Sequence, residues 1–320
     1  MDKKLIVSHI PTFCNGDVGF FVYPIFFINT VIFIEENQDK YYELPVVNYD
    51  TYQNMYMDDN GNMFSNYFDI NYSNEQTQFL QEIFRSDTQS EYHDRIIHIR
   101  DRTANAIYNG FVIDNIVMPY PTNVCKHKEY HPDNHKVCDT KVNAWFKKCR
   151  QQASRILSKH LKIKEHITQK ADRLWNEMFS PDDYVIGCHI RGTDKMTVLG
   201  GRIITPDEYY PYIENLITKH PRAKIFIATD DPKMFKVFTN RYASCKYIDN
   251  ILRSSINVFL DQDIKDNYKK GEDVLLDAIC LSKCNFLLKC NSAVSEFAIY
   301  LNMNLHDNSI NLQYTNPCTL

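Results

Sequence analysis

The feature that most constrains this chain is a rhythm in its second half, where short apolar, β-branched runs alternate with longer segments of helical spacing. Strand-like runs at residues 185–190 (VIGCHI), 224–228 (KIFIA), 246–248 and 286–289 are separated by helix-like segments at 206–218, 232–242, 274–283 and 294–301. A strand buried on both faces reads as a near-continuous hydrophobic run, and strands alternating with helices form a parallel sheet covered on both sides. The helix starts carry their own signals. Thr205-Pro206-Asp207-Glu208 places Thr at the N-cap, Pro at the first helical position and Glu at the third, a capping box. Asp231-Pro232 offers an Asp cap followed by Pro. Pro211 breaks the 206–218 pattern and predicts a kink.

Three of the strand-like runs end in polar clusters. After VIGC come His189, Arg191, Thr193, Asp194 and Lys195; after KIFIA come Thr229, Asp230 and Asp231; after FLLKC come Asn291 and Ser292, just before a helix. Loops at the carboxyl edge of an open parallel sheet converge, and ligands bind there, so the clusters are expected to line one cleft. An anionic phosphate in it would meet Arg191 as a bidentate donor. The N–H groups opening the helix after Ser292 would add to this, and Lys195 would supply further charge. Asp230, or Asp277 within VLLDAICL, would hydrogen-bond a ribose hydroxyl or the N–H groups of a base. The apolar neighbours of Asp277 argue against an ordinary solvated helix position.

The first half is less regular. Residues 4–10 and 43–48 read as strands, 74–84 as a helix, and 95–118 as short helices with a strand from 111. Long helical patterns fill 141–179, and the boundary between two domains is expected at 165–183, dividing the chain into 1–175 and 176–320. The apolar run 19–34 is too short for a membrane span, contains Pro24 and Asn29, and is flanked by acidic rather than basic residues, so it is expected to be buried core. Phe64, Tyr67 and Phe68 suit stacking on a sugar, but satellite core is the more common role for such aromatics. The net charge of -4 gives no general reason to expect nucleic acid or an anionic membrane as partner. Ten scattered cysteines, several inside apolar runs and with no secretory leader apparent before them, point to reduced thiols and a cytoplasmic setting.

Several chemistries lose their usual support. There is no GxGxxG and no Walker A pattern, and the only DxD tripeptide of the second half, Asp261-Gln262-Asp263, does not follow a strand. A metal-held diphosphate is therefore disfavoured. Cys125, His127, His131, His135 and Cys138 match no standard zinc spacing, so no metal or other cofactor is expected.

Taken together, HIRGTDK (residues 189–195), IFIATDDP (225–232) and VLLDAICLSKCNFLLKCNSAVSEFAIYL (274–301) resemble, in order and spacing, the α-1,6-fucosyltransferase and nodulation fucosyltransferase family with its bacterial and viral relatives. LPVVNY (44–49) and NGNMFSNYF (60–68) extend the resemblance more weakly into the first half. The resemblance implies an α/β, GT-B-like architecture in which two Rossmann-type domains face a central cleft, residues 1–175 on the acceptor side and 176–320 binding the donor. It implies an inverting, metal-independent transfer of fucose from GDP-fucose to a glycan. By position, Arg191 would bind the donor diphosphate, His189 and Asp277 the nucleoside, and Asp230, Asp231 and Ser292 the rest of the donor pocket. Asp194 and Lys195 would sit near the transferring sugar. The chain departs from the mammalian-type pattern twice. Gly192 stands where a second arginine is found, and the acidic residue expected beyond the lysine falls near Val198 or Leu199. Asp194, Asp17 and Glu296 are the substitutes for that base, with Asp194 preferred. Another nucleotide sugar, such as a xylosyl donor, and a catalytically silent nucleotide- or glycan-binding protein on the same fold are the alternatives.

Overall fold

In a computed structural model the protein is described at residues 3–9, 19–48, 56, 62–83, 95–99, 105–108, 111–114, 140–192, 203–256, 258–259 and 261–312. The first half contains β1 (Leu5–His9), α1 (Val22–Glu35), β2 (Val46–Asn48), α2 (Phe64–Tyr67), β3 (Phe68–Ile70), α3 (Asn74–Ile83), β4 (Ile96–Ile99), β5 (Asn105–Tyr108) and β6 (Phe111–Asp114). Then follow α4 (Thr140–His160), β7 (Leu161–Ile163), α5 (Glu165–Met178), β8 (Val185–Ile190), α6 (Pro206–Lys219), β9 (Lys224–Thr229), α7 (Pro232–Arg241), α8 (Asn267–Ser282), β10 (Phe286–Lys289), α9 (Ala293–Leu301) and β11 (Ser309–Asn311).

The second half forms the expected parallel sheet, in the order β11-β10-β8-β9. The pleat assigns its two faces. Ile186, Cys188 and Ile190 of β8, with Ile225 and Ile227 of β9 and Leu288 of β10, pack with residues of α6 and α7. Val185, Phe226, Ala228 and Leu287 point the other way, into the core shared with α5, α8 and α9. His189 and Lys289 share that second face by parity. Gly187 lies on the same face, opposite Leu287, and a Cβ there would meet Cys284 Sγ at 2.8 Å, so the end of α8 sits close against β8.

A smaller parallel sheet, β2-β1-β4, organises the first half. The apolar run is helix α1, buried from Tyr23 to Ile34 on every face, as a core helix should be. Among the described residues no helix is long and apolar enough to cross a membrane. Phe64, Tyr67 and Phe68 are core, at 2% exposure or less. The main core crosses between the halves: Phe21 and Phe68 both meet the Phe297 ring, and the Tyr67 and Tyr268 rings stack at 5.2 Å.

Three local expectations change. Residues 246–248 contribute only a one-residue bridge, Lys246 to Phe226. The helix expected at 274–283 starts at Asn267, where Asp266 caps it by accepting from the Lys269 N–H at 2.8 Å. The described parts of 95–118 are strands, with β5 and β6 paired as a hairpin. Helix α6 runs through Pro211 to Lys219, and Glu208 accepts from the Thr205 N–H at 2.9 Å, one arm of the expected box.

Candidate active site

Four of the sequence-selected residues converge. His189, Arg191, Asp230 and Asp277 line one cavity at the carboxyl edge of the four-stranded sheet. β8 delivers His189 and Arg191, β9 delivers Thr229 and Asp230, and α8 closes the opposite wall. Strand parity puts His189 on the α8 side of the sheet, and the Tyr209 hydroxyl fixes its backbone by donating to the His189 carbonyl at 2.7 Å.

Asp231 and Ser292 sit at the same edge in a different role. Asp231 caps α7, its Oδ1 accepting from the Lys233 and Met234 N–H groups at 2.7 and 3.2 Å. Ser292 is fully buried and caps α9, accepting from the Val294 N–H at 3.4 Å; Val294 itself lines the cavity. Asp194 and Lys195 lie outside the described residues, as do Asp17 and the Cys125–His127–His131–His135–Cys138 set.

The structure adds groups that sequence reasoning did not select. Lys270 and Asp273 recur at helical spacing on α8 with the expected Asp277, and all three line the cavity while being nearly buried. Asp273 accepts from Lys269 Nζ at 2.6 Å and from the Leu252 N–H at 2.9 Å, which ties the segment carrying Ile251 and Leu252 to the helix. Burial pushes the Asp273 carboxyl up, partly offset by these bonds. Asp277 is pushed well above the carboxylate range by burial; Arg253 opposes this, while Asp273 and Asp230 reinforce it. The Arg253 guanidinium lies 4.1 Å from the Phe235 ring centroid, and burial lowers its affinity for the proton. A usable sequence signal was the 3–4 spacing of charged residues in an otherwise apolar helix, KKGEDVLLD.

Glu296 is excluded as the catalytic base. It is 2% exposed and both oxygens are engaged: Oε2 accepts from Arg150 Nε at 2.9 Å, while Oε1 accepts from Arg150 Nη2 at 2.6 Å and Lys289 Nζ at 2.5 Å. Burial alone would raise its carboxyl, but Arg150 and Lys289 outweigh this and hold it down to about 2. Asp261 is also turned inward on its own loop, accepting from Ser254 Oγ at 2.5 Å and the Asp263 N–H at 3.0 Å. Among the described residues no group of three or more His, Cys, Asp or Glu is arranged to hold a metal ion.

A family model for the N- and catalytic domains of alpha-(1,6)-fucosyltransferases matches residues 140–308, more than half of the chain and all of the elements that build this cavity. The chain belongs to the alpha-(1,6)-fucosyltransferase family. It is accordingly a glycosyltransferase, and the fold is GT-B-like. NodZ alpha-1,6-fucosyltransferase, in a crystal soaked with GDP-fucose, superposes with a TM-score of 0.51 at 14% identity, covering 94% of this chain and 93% of that one. NodZ from Bradyrhizobium gives 0.49 at 11% identity, with 94% of each chain covered. POFUT1 in complex with GDP gives 0.44 at 10% identity, covering 97% of this chain and 99% of that one. No curated protein sequence matches the chain. For this family member, the fold places the polar strand ends together, as their spacing predicted.

Proposed function

We propose that this fucosyltransferase-family protein transfers fucose from GDP-fucose to a glycan acceptor, with inversion at the sugar carbon and without a bound metal. The observation that carries the reading is the convergence of His189, Arg191, Asp230 and Asp277 on one cavity at the carboxyl edge of the parallel sheet. A crystal of the structurally similar NodZ was soaked with GDP-fucose, which makes that donor the first to test.

Asp277, opposed by Arg253 and shielded from water, receives the N–H edge of the base, and His189 and Asp230 contact the nucleoside. Arg191 spans the diphosphate. Asp231 and Ser292 shape the pocket through the N-termini of α7 and α9, whose N–H groups favour negative charge. Residues 176–320 act as the donor-binding unit and residues 1–175 as the acceptor side.

In the reaction the acceptor hydroxyl oxygen attacks the fucose anomeric carbon as the bond from that carbon to the β-phosphate oxygen breaks. The hydroxyl proton passes to the Asp194 carboxylate, Lys195 lies beside the sugar, and GDP leaves with its new charge stabilised by Arg191. Stabilising charge on the leaving group is commonly the largest single contribution in such transfers. Neither a nucleic acid partner nor a membrane-spanning segment is part of the proposal. The described cysteines Cys149, Cys188, Cys245, Cys280, Cys284 and Cys290 are buried thiols, which supports a reducing, cytoplasmic setting.

The test is nucleotide release. GDP formation from GDP-fucose in the presence of a glycan acceptor panel supports the reading. UDP formation from a UDP-sugar would replace the donor. A nucleotide that raises the melting temperature yet is never formed from any donor would make this a silent binding protein.

A further inference from the structure

Two carboxylates on the α8 wall of the cavity are held in different ways. Asp277 is 8% exposed and lines the cavity, yet no group among the described residues donates a hydrogen bond to it. A buried carboxylate without donors is costly unless a ligand supplies them, which is the part given to it at the base. Asp273 is 4% exposed, lines the same cavity and lies one turn nearer the helix start. Its Oδ1 accepts from Lys269 Nζ at 2.6 Å, and its Oδ2 accepts from Lys269 Nζ at 2.8 Å and the Leu252 N–H at 2.9 Å. An ionised carboxylate offers about four acceptor positions, so one position on Oδ1 remains for a ligand, with Lys269 already meeting the charge.

The wall has a direction. Near the start of α8, Gly271 is packed against Tyr67 and Phe20, and the Tyr67 hydroxyl donates to the Tyr56 carbonyl. Tyr56 meets the ring of Phe259, a residue of the cavity wall, edge-on at 5.2 Å. Arg191 acts on the same region: burial and Tyr23 push the Tyr56 hydroxyl up, and the Arg191 charge pulls it back. The helix start is therefore the Arg191 end of the cavity, and Asp277 lies farther from it. Asp273 stands between, ~6 Å along the axis from Asp277 at ~1.5 Å per residue. A nucleoside diphosphate has the same order of base, sugar and phosphates. With the base at Asp277 and the phosphates at Arg191, the sugar falls beside Asp273.

The charge of this part of the cavity fits that placement. Asp230, Asp273 and Asp277 all line it, and both Asp273 and Asp230 oppose the ionisation of Asp277. Carboxylates gathered in this way reject phosphate and suit neutral donors, the hydroxyls of a sugar and the N–H groups of a base. We propose that Asp273 is the ribose-recognising residue, its Oδ1 accepting from the 2′- or 3′-hydroxyl of the nucleotide, so that the site selects a ribonucleotide over a deoxynucleotide. This inference rests on the nucleotide-sugar reading of the cavity. Through the Leu252 N–H the same carboxylate also holds the wall formed by Ile251 and Leu252, and its test must separate the two roles.

Calorimetric titration of wild type, Asp273→Asn and Asp273→Ala with GDP, 2′-deoxy-GDP and 3′-deoxy-GDP tests it. Wild type is expected to bind GDP about 10- to 100-fold more tightly than at least one of the deoxynucleotides, the span of a hydrogen bond to a charged group. That preference should shrink in Asp273→Asn, whose amide oxygen is a weaker acceptor, and vanish in Asp273→Ala. A merely structural role through Leu252 would weaken all three ligands alike and leave the preference intact. That result, or equal affinity of wild type for all three ligands, would overturn the inference while leaving the donor reading standing. If the alanine variant does not fold, the asparagine variant, which keeps the side-chain volume, and the wild-type preference decide the matter. Preference of the wild type for UDP would overturn the guanine assignment alone, and the Asp273 effect would then be read from UDP against its deoxy forms. A wild-type protein that binds neither diphosphate would overturn both the inference and the donor reading.

Discussion

Replacing Glu296 by Gln probes the buried ion network that holds the third polar strand end in place. Lys289 is the last residue of β10, Glu296 lies on α9 and Arg150 on α4, so the network joins three elements beside Asn291 and Ser292. A carboxyl held at about 2 instead of its ordinary 4.5 favours the charged form by about 3 kcal/mol, at ~1.4 kcal/mol per pH unit. Removing that charge leaves Lys289 and Arg150 uncompensated, and Lys289 is only 1% exposed. Breaking a buried pair in this way costs ~3–5 kcal/mol. With an unfolding entropy of ~2.1 cal/mol/K per residue, the melting temperature of a chain this long should fall by about 4–7 °C. Urea denaturation followed by tryptophan fluorescence reads the loss directly. The sign of its pH dependence follows from the depressed carboxyl. The stabilisation is present above pH 4.5 and is lost as pH falls toward 2, so wild type and variant should converge in acid. Adding Lys289→Met to the glutamine variant should recover part of the loss, because the second uncompensated charge is then gone. A loss below ~1 kcal/mol, or a gap between the two proteins that does not close in acid, would falsify this account of the network.

Arg191→Ala should lower GDP release by about 10²–10³-fold through loss of a leaving-group charge partner, and near wild-type turnover would remove Arg191 from the donor site. Asp277→Asn should weaken guanine nucleotide binding while stabilising the empty protein. The native Asp277 carboxyl is raised, so its favourable contribution is complete below pH 3.8 and fades as pH rises through the raised value; an amide escapes that loss, and the two proteins should coincide only in acid. Denaturation across pH, with proton uptake or release recorded during GDP titration, checks both parts. Gly192→Ala should cost about 1–2 kcal/mol because the Asp231 cap must move, and the loss should shrink in an Asp231→Ala background when the two are measured as a double-mutant cycle.

Much of the candidate site was legible because it obeys local rules. The β8 and β9 runs, the Asp and Thr caps and the Pro-started helices are written in windows of a few residues, and parallel strands bring their carboxyl ends together whatever joins them. His189, Arg191 and Asp230 followed from that, and Asp277 from the apolar residues that flank it in its helix. Asp231 and Ser292 were placed at the right edge, where the structure has them capping helices. Lys270 and Asp273 were not selected, because the helix was expected to begin only at 274 and both fell outside it. Only the approach of Phe20, Tyr67 and Phe259 from elsewhere in the chain turns that face inward.

By itself the sequence determined the parallel sheet, the buried run at 19–34 and the three polar strand ends, since each depends on period, propensity or capping within a short stretch. Tertiary structure decided which charges became a site and which became scaffold. Glu296 reads as a plausible acid beside Ser292 until Arg150, 146 residues away, clamps it. Gly192 reads as a missing arginine until Asp231 is found filling its side-chain space. Both outcomes turn on burial and on distances between residues far apart in the chain, and those quantities exist only once the sheet and helices have packed.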